Sequence, residues 1–386
     1  MPLAIPIAWL QLKREKLRLV VALAGVAFAV VLIFMQLGFQ DALYESSVRY
    51  HTKLRYDVAM ISPKTDFIVQ PASFSRRRLH QVRGTPGVED VTALYLGLGR
   101  WKNPASPADT RTIFVVGFDP TNRVFDLPGI ESHREELKLS DVVLYDEASR
   151  PEFGPIPELF RASEGGVETE VANRRVRIAG LFTLGTSFGI DASLITSDLN
   201  FQRIFPHRAP GMIDVGLIRL QEGADPDAAR DAIAARVPDD VVVLTRAGFV
   251  QREVDYWSGS TPIGYVFSFG VIMGLTVGGI IVYQILFSDV SEHLHEYATL
   301  KAMGYTDGHL FGVVLQEALL LAVMGFLPGL LASLLLYRAA GNATHLPLQM
   351  HPELGLTVFG LTAAMCGIAG AIALRKVRTA DPAEVF

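Results

Sequence analysis

Four long runs of apolar residues constrain the fold of this chain more than any other feature. They cover residues 19–39, 263–287, 310–337 and 354–374. Because about 20 apolar residues in a helix cross the ~30 Å hydrocarbon core of a bilayer, each run is predicted to be a transmembrane helix. The first run is not predicted to be a cleaved signal peptide, since it is too long and no A-x-A-like site follows it.

Between the first and second runs lies a long polar interval that predicts a soluble domain. Hydrophobic residues make up 50% of the chain and charged residues 19%, a mixture typical of a membrane part joined to a sizeable soluble part. Short β-rich runs separated by turn signals predict an α+β domain over 57–246. Flanking patterns predict one stalk helix over 40–56 and a second over 247–262, the second carrying Tyr256 and Trp257 at the membrane interface.

The charges at the two ends of the chain orient these helices. Four basic residues lie in an amphipathic segment at 1–18, and three lie in the tail at 375–386. Because positively charged flanks stay in the cytoplasm, both ends are predicted to be cytoplasmic. The domain at 57–246 and the loop at 338–353 are then periplasmic, and the acidic turn at 288–309 is cytoplasmic. The expected fold class is an α-helical protein of the bacterial inner membrane with four transmembrane helices and a large α+β periplasmic domain inserted between the first and second.

The turn at 288–309 is predicted to hold a short amphipathic helix between two transmembrane helices. Tyr297, Leu300 and Met303 supply apolar residues at helical spacing, and Gly304 is typical of a helix end. A short helix held in this way can pass a push from the membrane surface into the membrane. Its apolar residues are candidate anchors for the groove of a partner protein.

Three glycines form a G-xxx-G-xxx-G pattern on one face of the second transmembrane helix. They are Gly270, Gly274 and Gly278. Small residues on one face let helix backbones approach closely. The pattern fits packing within the chain and a seam between two copies equally well, and both interpretations stay open.

Glu317 is an acidic residue about two turns into the third transmembrane helix. Ionisable residues inside a membrane are costly to bury and are functional candidates by default. Its position near the cytoplasmic end favours a structural role. A proton relay is disfavoured, because it would need a second acidic partner inside the bilayer.

Several classes of activity are excluded by what the chain does not contain. No lysine follows a glycine, so the P-loop motif G-x-x-x-x-G-K-[ST] is absent, and any ATP-Mg must be bound by a partner. Cys366 is the single cysteine, which excludes an intramolecular disulfide and a cysteine-histidine zinc site of the usual spacing. The net charge of −5 gives no reason to expect nucleic acid. No catalytic, cofactor-binding or metal-binding residue is predicted in this chain.

Gly185-Thr-Ser187-Phe-Gly189 matches the nucleophile-elbow motif G-x-S-x-G. A nucleophile elbow needs a strand before the serine and a helix directly after it. A strand is predicted before the motif, but the residues after it, 190–197, are typical of a loop or strand. A glycine-rich loop is therefore favoured over a serine hydrolase built on Ser187.

Three segments resemble motifs of the permeases in the MacB/FtsX/LolCDE superfamily of ABC transporters. They are Glu296-Tyr-Ala-Thr-Leu-Lys-Ala-Met-Gly304, Gln316-Glu-Ala318 and Asp381-Pro-Ala-Glu-Val-Phe386. The first resembles the segment through which these permeases couple to their ATPase. The resemblance implies the same role for Glu296, Tyr297, Thr299, Leu300, Lys301, Met303, Gly304 and Tyr305.

The chain resembles the DevC-type permeases of cyanobacteria more closely still, over 5–12, 146–154 and 184–197. This resemblance implies a type VII mechanotransmission transporter, in which a homodimer of this chain lies among membrane lipids. Its partners would be a cytoplasmic ABC ATPase dimer that binds ATP-Mg, a periplasmic membrane-fusion adaptor and, through the adaptor, a TolC-like outer-membrane channel. It implies export of a glycolipid or another amphiphile.

Three other functions stay open. Two belong to the same superfamily: a lipoprotein-release permease, and an FtsX-like regulator of a cell-wall hydrolase. The third is the serine hydrolase. A copurified adaptor chain would favour export, whereas a copurified peptidoglycan hydrolase would favour the regulator.

Overall fold

The computed structural model describes residues 16–163, 165–293, 295–296, 299, 303–344 and 346–374. Two compact units make up the chain: Leu43–Thr261, and Met1–Ala42 together with Pro262–Phe386. Most of the predicted N-terminal segment, and the whole predicted tail at 375–386, lie outside the described residues.

Four of the described helices are long and apolar enough to cross a membrane, and they are α1 (Lys16–Ser47), α10 (Pro262–Glu292), α11 (Asp307–Thr344) and α12 (Pro352–Ala373). This confirms the four predicted transmembrane helices. In chain order the described helices are α1 (Lys16–Ser47), α2 (Arg49–Lys53), α3 (Arg77–Val82), α4 (Pro128–Glu131), α5 (Arg134–Leu137), α6 (Ile156–Ala162), α7 (Asp198–Ile204), α8 (Pro226–Ala234), α9 (Arg246–Asp255), α10 (Pro262–Glu292), α11 (Asp307–Thr344) and α12 (Pro352–Ala373).

The interval between α1 and α10 folds around one large sheet. Its described strands are β1 (Val58–Ile61), β2 (Phe74–Ser75), β3 (Val88–Lys102), β4 (Thr110–Phe118), β5 (Val142–Asp146), β6 (Val167–Val171), β7 (Arg174–Phe182), β8 (Ser193–Ser197), β9 (Met212–Ile213), β10 (Val215–Leu220) and β11 (Val242–Thr245). Nine strands form the order β11-β1-β10-β3-β4-β8-β5-β7-β6, and β2 pairs with β9. The β4–β8 and β5–β7 pairs are parallel, whereas β1–β10 and β3–β4 are antiparallel. The predicted domain of mixed helices and strands between the first two transmembrane helices is confirmed.

The sheet buries an apolar core on each of its faces. Alternate side chains of β1 enter the two cores, because successive residues of a strand point to opposite faces. Phe201 of α7 and Ile233 of α8 pack into the first core. Tyr50 of α2 and Phe249 of α9 pack into the second. The two helices at the ends of this unit therefore cover the same face of the sheet.

The second stalk, predicted over 247–262, is helical as far as Ser260. A π-helix at Tyr256–Ser260 directly follows α9, and Thr261 is extended, with φ −112° and ψ 149°. Because the residue before a proline is disfavoured from helical geometry, the helical run ends there and α10 begins at Pro262. Trp257 is buried within the sheet-containing unit, at 8% exposure. By contrast, α1 runs without a break through the predicted first transmembrane helix and into the predicted first stalk.

The glycine face of α10 packs against α1 inside the membrane unit. A Cβ at Gly274 would lie 3.2 Å from Ile33 Cγ1, and one at Gly278 would lie 2.5 Å from Ala29 Cβ. A Cβ at Gly270 would lie 2.5 Å from Nε2 of Gln36, which also belongs to α1. This face is therefore occupied within the chain, which favours the interpretation of close intrachain packing over a seam between two copies.

Candidate coupling site

The coupling segment, residues 293–306, joins α10 to α11. The Thr299 Oγ1 donates to the His295 backbone oxygen at 2.9 Å, and the Met303 backbone N–H donates to the Thr299 backbone oxygen at 3.0 Å. Each bond spans four residues, as in an α-helix. Where it is described, the segment therefore has the geometry of the short helix that the sequence predicts.

Gly304 ends this helical geometry. Its φ of +94° lies in the left-handed region, which side chains with a Cβ rarely adopt. Nothing lies within 4 Å of the position that a Cβ would take, so conformation rather than space requires a glycine here. A residue in this conformation is the usual end of a helix. The next helix follows at once, and the His309 N–H donates to the Thr306 oxygen at 2.9 Å.

The described coupling residues expose apolar surface. Met303 is 63% exposed and Tyr305 is 46% exposed, with the Tyr305 ring 4.9 Å from the ring of His309. Glu296 is exposed and Thr299 is half-buried. Three further predicted coupling residues, Tyr297, Leu300 and Lys301, lie outside the described residues. An exposed methionine and an exposed tyrosine two residues apart are typical of a protein contact surface.

An ion pair ties the start of α1 to the end of α10. The Arg18 guanidinium donates to both oxygens of Glu292, at 2.9 and 2.6 Å. The Arg18 side chain is 28% exposed and the Glu292 side chain 47% exposed. Such a pair contributes about 0–1 kcal/mol, although bidentate geometry is the favourable case. The sequence assigned Arg18 only to the positive N-terminal flank, and nothing in the pattern pointed to a partner far along the chain.

Glu317 and Asp289 are both buried acidic residues of the membrane unit. Glu317 is 1% exposed on α11, and Asp289, which the sequence placed in the charged turn, is 6% exposed near the end of α10. His293 Nδ1 lies 3.5 Å from Asp289 Oδ1. A second buried acid is therefore present in this unit, and the structural role of Glu317 stays a prediction.

The G-x-S-x-G motif does not form a nucleophile elbow. The chain after Ser187 leads into β8 and not into a helix, which the elbow requires. The Ser187 hydroxyl accepts a hydrogen bond from the Gly189 N–H at 3.3 Å, and the Ser187 N–H donates to the Ile190 oxygen at 2.8 Å. The hydroxyl therefore serves a local turn, and the geometry favours the glycine-rich loop.

This loop joins α2 to the sheet. Arg49 Nη1 donates to the backbone oxygens of Leu184 and Thr186, each at 3.3 Å. The Asp146 carboxylate accepts from the Leu184 and Gly185 N–H groups, at 3.0 and 2.8 Å. Burial raises the pKa of Asp146, and these backbone donors oppose that rise. The motif is therefore a structural junction at the point where α2 meets the sheet.

Two family models match most of the chain. Residues 19–236 match the model described as "MacB-like periplasmic core domain". Residues 268–382 match the model described as "FtsX-like permease C-terminal". The first match covers most of α1 and nearly all of the sheet, and the second covers most of α10, the coupling segment, α11 and α12.

A curated relative shows the same likeness. It is the macrolide export ATP-binding/permease protein MacB of Sodalis glossinidius (strain morsitans), 24% identical in an alignment of 343 residues that covers 83% of this chain. The chain spans 50% of that relative's length.

Among solved structures, the periplasmic region of MacB from Actinobacillus actinomycetemcomitans matches with a TM-score of 0.36 and 10% identity, over 54% of this chain and 96% of that one. The extracellular domain of the noncanonic ABC-type transporter YknZ from Gram-positive bacteria matches with a TM-score of 0.35 and 11% identity, over 49% of this chain and 98% of that one.

Proposed function

The chain belongs to the family with a MacB-like periplasmic core domain, within the MacB/FtsX superfamily of ABC permeases, and from this premise we propose that it is the membrane subunit of an ABC exporter. It is a multi-pass protein of the inner membrane, and the sheet-containing domain lies in the periplasm. Because that domain is inserted between α1 and α10, the coupling segment at the other end of α10 lies in the cytoplasm.

The coupling segment is the observation that carries the proposal. It joins two transmembrane helices, exposes Met303 and Tyr305, and is closed by Gly304 in a conformation that turns the chain directly into α11. Exposed apolar anchors on a short helix suit a groove on an ATPase. A push on this helix would reach the membrane through α10 and α11.

ATP is bound outside these 386 residues in this proposal, because no lysine in them follows a glycine and no P-loop can form. A separate ATPase dimer would hold ATP-Mg and close on the coupling segments of two copies of the chain. Closure would move the transmembrane helices, and their movement would reach the periplasmic domains. This mode is mechanotransmission, and the substrate does not have to pass between the transmembrane helices.

The expected periplasmic partners are a membrane-fusion adaptor and, through it, a TolC-like outer-membrane channel. The expected substrate is a glycolipid or another amphiphile. Both expectations rest on the resemblance to DevC-type permeases over 184–197 and the two other segments. A relative named for macrolide export supports export as the direction of transport.

Copurification tests the proposal. The full chain, expressed in its own host and extracted in mild detergent, is expected to bring down an ABC ATPase and a membrane-fusion adaptor. Copurification of a peptidoglycan hydrolase without an adaptor would contradict export and would favour a regulator of cell-wall cleavage. Copurification of lipoproteins without an adaptor would favour a lipoprotein-release permease.

A further inference from the structure

A polar cavity in the periplasmic domain is lined by the side chains of four arginines. Its volume is about 300 Å³. The arginines on its wall are Arg55, Arg123, Arg134 and Arg219. Among the described residues that line it, Asp90 is the one acid. Because like charges repel each other, four guanidinium groups around one cavity need a physical reason.

The four arginines come from separate parts of the fold. Arg55 follows α2, Arg123 lies in the loop between β4 and α4, Arg134 begins α5, and Arg219 lies in β10. A merely solvated basic surface is usually a run of charges along one element. Here the tertiary fold collects single arginines from four places in the sequence at one cavity. This convergence favours a binding site over a solvated face.

Two acids hold Arg55 and Arg219 without lining the cavity themselves. Arg55 Nη2 donates to Asp126 Oδ1 at 2.8 Å. Arg219 donates through Nε to Glu89 Oε2 at 3.0 Å and through Nη2 to Glu89 Oε1 at 2.7 Å. In the described part of the chain, the Nη1 groups of both arginines have no acceptor. Each guanidinium is therefore fixed on one side and keeps N–H donors for a ligand.

Arg134 is fixed mainly by backbone oxygens. Its Nε and Nη2 donate to the Pro120 oxygen at 3.1 and 2.9 Å, and Nη2 donates to the Thr121 oxygen at 2.8 Å. Its Nη1 donates to Glu131 Oε2 at 3.4 Å, and the same oxygen lies 3.5 Å from Arg123 Nε. Only 21% of the Arg134 side chain is exposed. A partly desolvated guanidinium attracts an anion more strongly than an exposed one does.

The charges around the cavity do not cancel. Glu131 is shared by two arginines, so one negative charge serves two positive ones. Asp90 lies 3.9 Å from the guanidinium of Arg83, which brings a further positive charge. The group as a whole is therefore positive, and an anion in the cavity would relieve the repulsion between the arginines.

The wall of the cavity favours a phosphate group over a carboxylate. One arginine fork already matches a planar carboxylate, because both form two parallel hydrogen bonds. A phosphate presents oxygens in several directions, so it can accept from guanidinium groups that belong to different elements. Arginines from several sides of one cavity fit this second geometry.

The remaining lining residues indicate what carries the phosphate. Small-molecule sites begin at about 300 Å³, so this cavity has room for more than the anion. Thr92, Thr121 and Asn122 add hydroxyl and amide groups, which suit the hydroxyls of a sugar or a glycerol. The apolar side chains among the described lining residues are Val124 and Leu217. The acyl chains of a lipid would therefore stay outside the cavity.

We propose that this cavity binds a phosphate group on a hydroxyl-bearing carrier, with Arg55, Arg134 and Arg219 as the ligands of the phosphate. The carrier is either a soluble sugar or glycerol phosphate or the headgroup of a lipid, since both present the same chemistry. A bound phosphate would join the segment after α2 to the sheet. The site stands on the cavity itself and does not depend on the proposed export function, because its test measures binding alone.

Calorimetric titration of the full chain in phosphatidylcholine nanodiscs, in a buffer without phosphate, tests the site. Glycerol 3-phosphate is expected to bind saturably, whereas glycerol is not. Arg219→Gln should weaken this binding about tenfold or more, because it removes charged donors from the ligand. Arg55→Gln should do the same, so either variant can carry the test if the other does not fold.

Arg78→Gln is the matched control. Arg78 makes the same kind of forked pair as Arg219, with Nε 3.0 Å from Asp240 Oδ1 and Nη2 2.8 Å from Asp240 Oδ2. It lies in α3 of the same domain and does not line the cavity. Arg78→Gln and Arg219→Gln therefore lose the same charge and the same type of ion pair. The control should keep the wild-type affinity for glycerol 3-phosphate.

Two short-chain lipids distinguish the sources of the phosphate. Dihexanoyl phosphatidylglycerol is expected to displace glycerol 3-phosphate if the site takes a lipid headgroup, and dihexanoyl phosphatidylcholine is not. If neither lipid displaces glycerol 3-phosphate, the site takes a soluble phosphate ester. Either result supports the cavity as a phosphate site, and the two results assign its ligand to different sources.

Three outcomes would overturn the proposal. One is the absence of saturable binding by both glycerol 3-phosphate and dihexanoyl phosphatidylglycerol. Another is an equal loss of affinity in Arg78→Gln and Arg219→Gln, because binding would then follow the net charge of the domain and not the cavity. The third is inorganic phosphate that binds as tightly as glycerol 3-phosphate, which would overturn the hydroxyl-bearing carrier.

Discussion

Gly278→Ala tests the packing of α10 on α1 by adding one methyl group. The new Cβ would lie 2.5 Å from Ala29 Cβ and 2.7 Å from Met365 Sδ. Carbon atoms in contact lie about 3.5–4.0 Å apart, so the methyl overlaps Ala29 by about 1 Å. The Met365 side chain can rotate away. The Ala29 Cβ is fixed to the α1 backbone, so α1 and α10 have to separate.

The neighbouring Gly279→Ala is the matched control. Its Cβ would lie 3.6 Å from Met365 Cγ, which is an ordinary contact. Both variants gain the same helix propensity from alanine, so the difference between them isolates the overlap. Forcing an extra methyl into a packed site typically costs about 1–3 kcal/mol. Gly278→Ala is therefore expected to be about 1–3 kcal/mol less stable than Gly279→Ala.

Unfolding of the two purified variants in mixed detergent micelles measures this difference. Equal free energies of unfolding, within about 0.5 kcal/mol, would contradict close packing of Gly278 on Ala29. Loss of crosslinking between two copies, without loss of stability, would instead assign the glycine face to a seam between copies.

Three further predictions concern topology, coupling and the domain core. A cysteine at Asp66 should be labelled from the periplasm and one at Glu292 only from the cytoplasm, and periplasmic labelling at Glu292 would contradict the topology. Leu300→Asp should insert normally in the membrane but weaken ATPase binding and abolish export, since it places a charge in an apolar groove. Wild-type export by this variant at equal expression would show that the ATPase couples to the chain at another site. Asp214→Ala should destabilise the periplasmic domain by about 3–5 kcal/mol, because it leaves buried donors that include the Leu96 N–H without their acceptor. Glu89→Ala breaks an exposed carboxylate–arginine pair and should cost only about 0–1 kcal/mol. Equal unfolding midpoints for these last two variants would refute the burial argument.

The membrane helices could be predicted from the sequence because a bilayer restricts the choices of the backbone. A spanning segment has to satisfy its hydrogen bonds internally, so an apolar run of the right length becomes a helix. The strands of the domain could also be predicted, because they occur as short β-rich runs between turn signals such as Thr85-Pro86-Gly87. The interruption at Thr261 was also readable, because Pro262 follows it.

The contacts of the candidate site could not be predicted, because they depend on how separate helices pack. Asp289 reads as one more acid of a charged turn, and only the packing of the helices buries it, to 6% exposure. The pairing of Arg18 with Glu292 is likewise a property of two helices far apart in the sequence. The glycine pattern indicated close approach, but not that the approaching helix is α1 of the same chain.

Under the proposed function, the packing of α10 on α1 provides a path for force within the membrane unit. The glycine face presses α10 directly on α1. Residues 16–47 form one unbroken helix, so α1 can carry displacement along its axis. Force that enters at the coupling segment would then pass from α10 sideways to α1. Gly278→Ala, by separating these helices, should therefore lower the amount of substrate exported per ATP hydrolysed, whereas Gly279→Ala should leave that ratio at the wild-type value.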